Sequence, residues 1–437
     1  MLKTLTIGVV SIVGKGDLAI YRASVDRLKN IGRVSFCCPG DYTFTSYFFP
    51  DVKLLPHPLT LTQSKNLIKI FRKKAKSKIL EREPLKFLSK MYDGSYVLSK
   101  FVSPFITKTL VSREFPEFSD MDVAVILGHT LEKSEMASYI LSYLYPKFLF
   151  KKPTVIFPFS VSELGIKETP SRITSLLKII LRRIDAIFVR EDLSYKYLIK
   201  VIGNRKNIFK SADTAFLLSD MPQKMVNSET KGRKVKLEKP SVAVALRSDY
   251  FLTYSKRYGI NSLFLLLRKI AKILDHLISD YNMHIYFVPM TINPNRSVID
   301  DLYVSEKCAE FMRNIEKTQI VDTLWMNVYQ IKSLLEHMDF LITMRLHAGI
   351  LAASKYVPLL MILPSKDNKA NGIAQRLGIK DYFVDLDYAI KAEPEKLYLM
   401  ISEAFEKRDI IREILKETVP KEKKLAEFPI KVLKNLV

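Results

Sequence analysis

The sequence predicts an α/β protein of two domains with parallel sheets, on three observations. Short, continuously apolar runs rich in Val and Ile, such as Asp122 to Leu127, Asp185 to Val189 and Ser241 to Leu246, alternate with stretches of helical periodicity. Unbroken apolar strands interleaved with helices are what a sheet covered on both faces requires. The 437 residues suffice for two domains of ordinary size, and the polar stretch Met221 to Pro240 has the composition of a linker between them. The third observation is Asp339 to Pro364: a strand over Phe340 to Thr343, a helix of small apolar residues over His347 to Tyr356, and a second buried strand over Val357 to Leu363.

Taken in order, Thr4 to Val13 reads as a first core strand, and Gly14-Lys15-Gly16-Asp17 as a sharp turn into a helix from about Leu18 to Leu28. Residues 65 to 90 carry ten basic and two acidic side chains interleaved with Leu, Ile and Phe. That pattern fits either a helix on an anionic bilayer or a solvated face packed on its own domain. Asp122 to Leu127 is a buried strand ending in Gly128-His129-Thr130, and Pro153 to Phe159 is the next. Asp185 to Val189 ends in Arg190-Glu191-Asp192, where the two carboxylates suit a helix amino terminus and Arg190 stands at the strand's carboxyl edge.

After the linker, Ser241 to Leu246 opens the second domain, with Arg247 at its carboxyl end. Leu263 to Ile278 follows as a helix and Ile285 to Val288 as a strand. The organisation expected is residues 1–220, a linker 221–240, a second domain 241–395 and a helical region 396–437. In both domains ligands are expected at the carboxyl edges of the strands, the two edges facing a central cleft.

Composition bounds the partners. With 69 Lys and Arg against 46 Asp and Glu, the formal charge of +23 implies an anionic partner surface: phospholipid, acidic glycan or nucleic acid. Three cysteines, Cys37, Cys38 and Cys308, make neither a disulfide framework nor a metal-ligand spacing, so a reducing compartment and no bound metal are expected. The amino-terminal run is broken by Gly-Lys-Gly-Asp and reads as a strand, not as a signal peptide. No apolar stretch reaches the roughly 18 to 20 residues of a membrane span. A cytoplasmic protein, with peripheral membrane contact through 65–90 as a hypothesis, is the expectation.

Chemistry concentrates at Met344-Arg345-Leu346-His347. A strand-to-helix junction offers unpaired backbone N–H groups and the helix dipole to an anion. Arg345 adds a fork suited to phosphate or carboxylate, and His347 a group that exchanges protons near neutral pH. Locally, the same residues also fit an arginine capping a turn and a histidine satisfied by backbone.

The run MDFLITMRLHAGILAA (338–353), followed by Val357 to Ile362, Lys369, Gly372 and Leu377-Gly378, resembles the C-terminal signature of the polysaccharide pyruvyl transferase family. Looser similarity runs through Gly14 to Asp17, 181–220 and Val242 to Arg247. The resemblance implies two Rossmann-like domains of glycosyltransferase B type and transfer of a pyruvyl group from phosphoenolpyruvate onto sugar hydroxyls as a ketal. It implies no cofactor beyond that donor, a sugar or glycan acceptor, and no specific nucleic acid. It also places Gly16 and Asp17 near the cleft, and makes Asp213 a turn or acceptor-site residue. His129 stands where the family tends to have paired glycines.

On that reading Arg247 and Arg345 bind the phosphate and carboxylate, Leu346 adds junction backbone, His347 handles the proton and Lys369 screens the leaving phosphate. Arg190 is a further candidate cleft residue. The alternatives are a nucleotide-sugar glycosyltransferase of the same layout and a non-catalytic binder of acidic polymer.

Overall fold

A computed structural model describes residues 1–8, 14–38, 42–57, 115–128, 130–131, 140, 142–143, 145–161, 171–221, 237–250, 259–292 and 300–436. The basic stretch 65–90, His129 and most of the expected linker lie outside the described residues. By internal contacts the chain divides into two units: 1–12, 24–211 and 428–437 form the first, and 13–23 with 212–427 the second. This division falls at Ala212 rather than at 220. Residues 214–217 lie against a helix of the second unit, and Asp220 pairs with Lys332 and Lys355 there.

The first unit holds an all-parallel sheet of β1 (Leu2–Gly8), β2 (Gly32–Cys37), β3 (Lys53–Leu54), β4 (Val123–Leu127), β5 (Thr130–Leu131), β6 (Thr154–Val161), β7 (Ala186–Val189) and β8 (Ile208–Lys210). Their order is β3-β2-β1-β4-β6-β7-β8, with β5 paired to β6. Helix α1 (Lys15–Lys29) follows β1, α2 (Ser171–Leu181) follows β6 and α3 (Asp192–Ile202) follows β7. Every residue of β4, β6 and β7 is buried, as expected of strands covered on both faces.

The second unit's sheet runs β11-β10-β9-β12-β13-β14, all parallel: β9 (Ser241–Ala245), β10 (His284–Phe287), β11 (Thr318–Ile320), β12 (Phe340–Thr343), β13 (Leu359–Leu363) and β14 (Phe383–Asp385). That is the doubly wound order in which chain direction reverses between the first and fourth strands. Its helices are α4 (Ile260–Tyr281), α5 (Asp301–Glu310), α6 (Val328–Glu336), α7 (Leu346–Ala353), α8 (Asn368–Arg376), α9 (Pro394–Glu406) and α10 (Arg408–Leu436). The last ten residues group with the first unit, where Phe428 meets Phe188 and Phe209 edge-on at 5.8 and 5.7 Å.

Helix α7 is one turn shorter at its carboxyl end than its sequence suggests, because Tyr356 adopts a left-handed conformation that ends it. Its small residues have a packing reason: α7 lies against β12 and β13, α6 and the 3₁₀ turn Thr214–Leu217, and Ala348 and Ile350 to Ala353 are wholly buried. Both sheets use one register device at their amino edges. Asp122, Asp185 and Asp339 each precede a strand and accept an N–H from the first or second residue of the neighbouring strand, Lys3, Thr154 and Ser241, at 2.7, 2.7 and 2.8 Å. Each carboxylate satisfies a donor the ladder leaves open and so fixes the register.

At the opposite edge, Gly128 follows β4 where β6 crosses close by. A methyl group there would stand 1.7 Å from the Pro158 carbonyl oxygen. Since the obstruction is backbone, Gly128→Ala is expected to cost at least about 3 kcal/mol. Urea unfolding of the purified variant checks this, and a loss below about 1 kcal/mol contradicts it.

Candidate active site

The reversal point of the second sheet lies between β9 and β12, and an arginine leaves the end of each strand. Arg247 donates from Nε and Nη2 to the two oxygens of Asp249 at 2.6 and 2.7 Å, and from Nη1 to the Tyr250 hydroxyl at 3.0 Å. Its guanidinium also lies 4.4 Å from the Tyr250 ring centroid. Arg345 donates from Nε and Nη2 to Asp301 at 2.8 and 2.5 Å. Its Nη2 also stands 3.5 Å from the same Asp249 oxygen that Arg247 Nε holds. A single carboxylate oxygen therefore lies between the two forks.

Asp301 is the anchor of this arrangement. Its carboxylate is fully buried and, besides Arg345, accepts the backbone N–H groups of Ser248, Met290 and Thr291 at 3.0, 3.2 and 2.9 Å. These groups leave the ends of β9 and β10, and Arg345 leaves that of β12, so one side chain ties three strand ends together. Asp249 is more exposed, at 29% of its side chain. Burial alone would raise its carboxyl pKa, but Arg247 and Arg345 outweigh burial and hold it below the ordinary value. Burial would likewise lower Arg247, and Tyr250 and Asp249 reverse that.

Arg345 is the N-cap of α7 but contributes no side-chain cap, so the N–H groups of Leu346 and His347, which have no acceptor within the helix, receive none from it. The His347 ring follows in the first turn. Its Nε2 faces Asp213 Oδ2 at 3.5 Å, and a Cβ on Gly16 would stand 2.5 Å from its Nδ1. The turn carrying Gly16 is fastened in place by neighbours in the same unit. Gly14 bridges Thr291, the Lys15 N–H donates to the Met290 carbonyl at 2.8 Å, and Lys15 Nζ donates to the carbonyls of Leu324 and Met326 at 2.9 and 2.8 Å.

The structure thus brings together Arg247, Arg345, Leu346, His347 and Gly16. Asp17 lies half-buried in the first turn of α1, its Oδ2 pointing back toward Gly14. Lys369, half-buried, sits in the first turn of α8, two residues after its cap Asp367, a charge that Arg247 senses. Arg190 belongs to the first unit and is spent internally: its Nε donates to Ser160 at 2.5 Å and its Nη2 reaches Thr130 at 3.4 Å. Glu191 joins that buried cluster by accepting from Ser160 at 3.0 Å, instead of capping α3 with its side chain.

Sequence reasoning missed Asp249, Asp301 and Lys15. Asp300-Asp301 looks like cap chemistry, and Asp300 does cap α5 by accepting the Leu302 N–H at 2.9 Å. The signal available was the second acid, which a helix start does not need. Lys15 was hidden inside a turn read for its glycines.

A family model described as polysaccharide pyruvyl transferase matches residues 15–365. Among solved structures, the chain is similar to the UDP-GlcNAc 2-epimerase of Neisseria meningitidis bound to UDP-GlcNAc, with TM-score 0.57, 10% identity, and 99% of this chain and 100% of that one covered. The UDP-GlcNAc 2-epimerase of Methanocaldococcus jannaschii gives TM-score 0.55 and 11% identity, with 100% of both chains covered. A glycotransferase of kitacinnamycin gives 0.53 and 10%, with 100% and 98% covered. At such identities these likenesses establish the fold alone, one of two Rossmann-like units of glycosyltransferase B type. No curated protein sequence matches at a significant level.

Two outcomes follow from this geometry. Asp301→Ala strands three N–H groups and a guanidinium, and is expected to cost about 3–5 kcal/mol in urea unfolding, more than Asp249→Ala at the exposed position. Burial pulls the Lys15 ammonium down to about 7, with the Asp322 charge opposing. Below that pH both folded and unfolded states are protonated and the native state bears the full burial penalty. Between 7 and the unfolded value of 10.5 only the unfolded chain keeps the proton, so stability rises with pH. Relative to Lys15→Met, the wild type is expected to gain about 2–4 kcal/mol between pH 6.5 and 9.5. A flat difference across that range contradicts the assignment.

Proposed function

Because the chain belongs to the polysaccharide pyruvyl transferase family, we propose that it moves a pyruvyl group from phosphoenolpyruvate to a pair of hydroxyls on a sugar of a cell-surface polysaccharide or lipid-linked glycan. The observation that carries this reading is the pair of guanidinium groups, Arg247 and Arg345, flanking one partly exposed carboxylate at the reversal point of the sheet. A donor with a phosphate at one end and a carboxylate at the other asks for two forks a few ångströms apart. The uncapped amino end of α7, with its N–H groups at Leu346 and His347, supports the same anion.

On this reading the donor enters by exchange with one of the two carboxylates. Asp301 is buried and held by three N–H groups, so its bond to Arg345 stays. Asp249 is the exchangeable partner: its carboxylate swings out and a donor oxygen takes its place between the forks. Lys369, at the start of α8, screens the phosphate.

In the reaction His347 delivers a proton to the methylene carbon of phosphoenolpyruvate, and the central carbon becomes an oxocarbenium-like centre. One sugar hydroxyl adds to it and loses its proton. The carbon–oxygen bond to phosphate then breaks, phosphate departs, and the second hydroxyl closes the ketal as its own proton leaves. One proton is taken up and two are released, one of which stays with phosphate. His347 takes both parts of this exchange because an imidazole near neutral pH serves as acid and base. The basic stretch from Lys65 to Lys90 fits an acceptor presented at an anionic membrane surface.

Phosphoenolpyruvate is expected to raise the thermal midpoint, while UDP leaves it unchanged; the reverse result favours a nucleotide-sugar transferase. His347→Ala is expected to lower turnover by at least about 10²-fold with donor affinity within about threefold, whereas Arg345→Lys weakens donor binding. Release of phosphate with a matching mass gain on the glycan is the direct readout.

A further inference from the structure

We infer that Asp213 is the positioning residue of His347, holding the hydrogen on Nε2 and leaving Nδ1 as the nitrogen that exchanges protons with substrate. Asp213 comes from the segment just before the 3₁₀ turn Thr214–Leu217, which packs on α7, and its side chain is 1% exposed. Its two oxygens have separate duties. Oδ1 accepts the Ala215 N–H at 2.9 Å and caps the turn, while Oδ2 points at His347 Nε2 from 3.5 Å. Nε2 is shut off from solvent and, among the described residues, makes no hydrogen bond in this geometry; the Asp213 carboxylate is the charge that faces it.

A neutral imidazole carries one hydrogen, and a buried carboxylate beside one ring nitrogen selects the tautomer that points the hydrogen at it. Here that nitrogen is Nε2. The other side of the ring lies against Gly16, where a methyl group would stand 2.5 Å from Nδ1. The missing side chain at residue 16 is what leaves Nδ1 uncovered. Asp213 also stabilises the imidazolium that forms when Nδ1 takes a proton, since opposite charges attract strongly where water is excluded. A residue acting through the ring in this way sets turnover more than donor binding.

The catalytic half of this inference rests on the pyruvyl-transfer reading; the tautomer half does not. Asp213→Asn separates the two duties, because an asparagine retains an oxygen for the Ala215 cap but presents an amide NH₂ to Nε2. The ring must then accept there, and its hydrogen moves to Nδ1. Nitrogen-15 spectra of the ligand-free protein, with His347 assigned by loss of its signals in His347→Ala, are expected to show the Nε2–H tautomer in the wild type and the Nδ1–H tautomer in Asp213→Asn. With phosphoenolpyruvate and glycan, turnover of Asp213→Asn is expected to fall at least about 10-fold while the KM for phosphoenolpyruvate stays within about threefold. Gly16→Ala, which covers Nδ1, is expected to show the same turnover loss with the wild-type tautomer retained. An unchanged tautomer in Asp213→Asn overturns the assignment. A tautomer that switches in a protein whose wild type never consumes phosphoenolpyruvate supports Asp213 and overturns the reaction instead.

Discussion

The carboxylate of Asp301 is the constraint on which the candidate site depends. An ionised group at full burial persists only if its lone pairs are filled, and here three backbone N–H groups and a two-pronged arginine fill them. The donors arrive from three strand ends, those of β9, β10 and β12, so satisfying the charge and closing the carboxyl edge of the sheet are one event. Arg345 gains a fixed direction from it. Two of its nitrogens are committed inward, its rotamer freedom is gone, and the remaining face of the guanidinium is presented where β9 and β12 diverge. Binding an anion there involves little further ordering.

The contrast with Asp249 explains why the cluster suits exchange as well as stability. Two arginines and two aspartates leave the cluster close to neutral, so under the proposed function an anionic donor gains little from it unless one carboxylate withdraws. Asp301 is held by three backbone N–H groups from the ends of β9 and β10. Asp249 is held by the two arginines and by a backbone hydrogen bond within its own segment, and it is the more exposed of the two. A pocket of bare guanidinium groups would be self-repelling while it waits for substrate; a displaceable internal carboxylate removes that repulsion without filling the site permanently.

The alternation of unbroken apolar strands with helices made both sheets legible in the sequence, and the strand-to-helix junction at Arg345 and His347 was visible because small residues in α7 signalled a helix buried on several sides. Arg247 was legible for the same reason, as a charge at the end of a strand of five buried residues. Asp249, Asp301 and Asp213 were hard to see because each looks like ordinary turn or cap chemistry, and only long-range contact decides which acid turns inward. The aspartates before β4, β7 and β12 teach the same lesson at the amino edge. The pattern of an apolar residue, Asp and another apolar residue recurs at Met121-Asp122-Val123, Ile184-Asp185-Ala186 and Met338-Asp339-Phe340. It reads as three unrelated strand starts until the neighbouring N–H groups are seen to point at them.

Gly16 shows how the far end of the chain enters the site. A strand-to-helix turn ordinarily serves its own sheet, yet here residues 13–23 group with the second unit. The reason lies in a set of local bonds: the bridge from Gly14 to Thr291, the two carbonyls gripped by Lys15 Nζ, and Arg22 Nε donating to the Tyr329 hydroxyl at 2.7 Å. Thr291 and Met290 are held in turn by Asp301, so the turn is fixed by the same buried charge that orients Arg345. The glycine's lack of a side chain matters only because that anchoring presses it against the His347 ring. The arginine fork and the imidazole, separated by one residue in sequence, are therefore oriented by two different carboxylates, Asp301 and Asp213. The position of both relative to the amino-terminal turn depends on one of them.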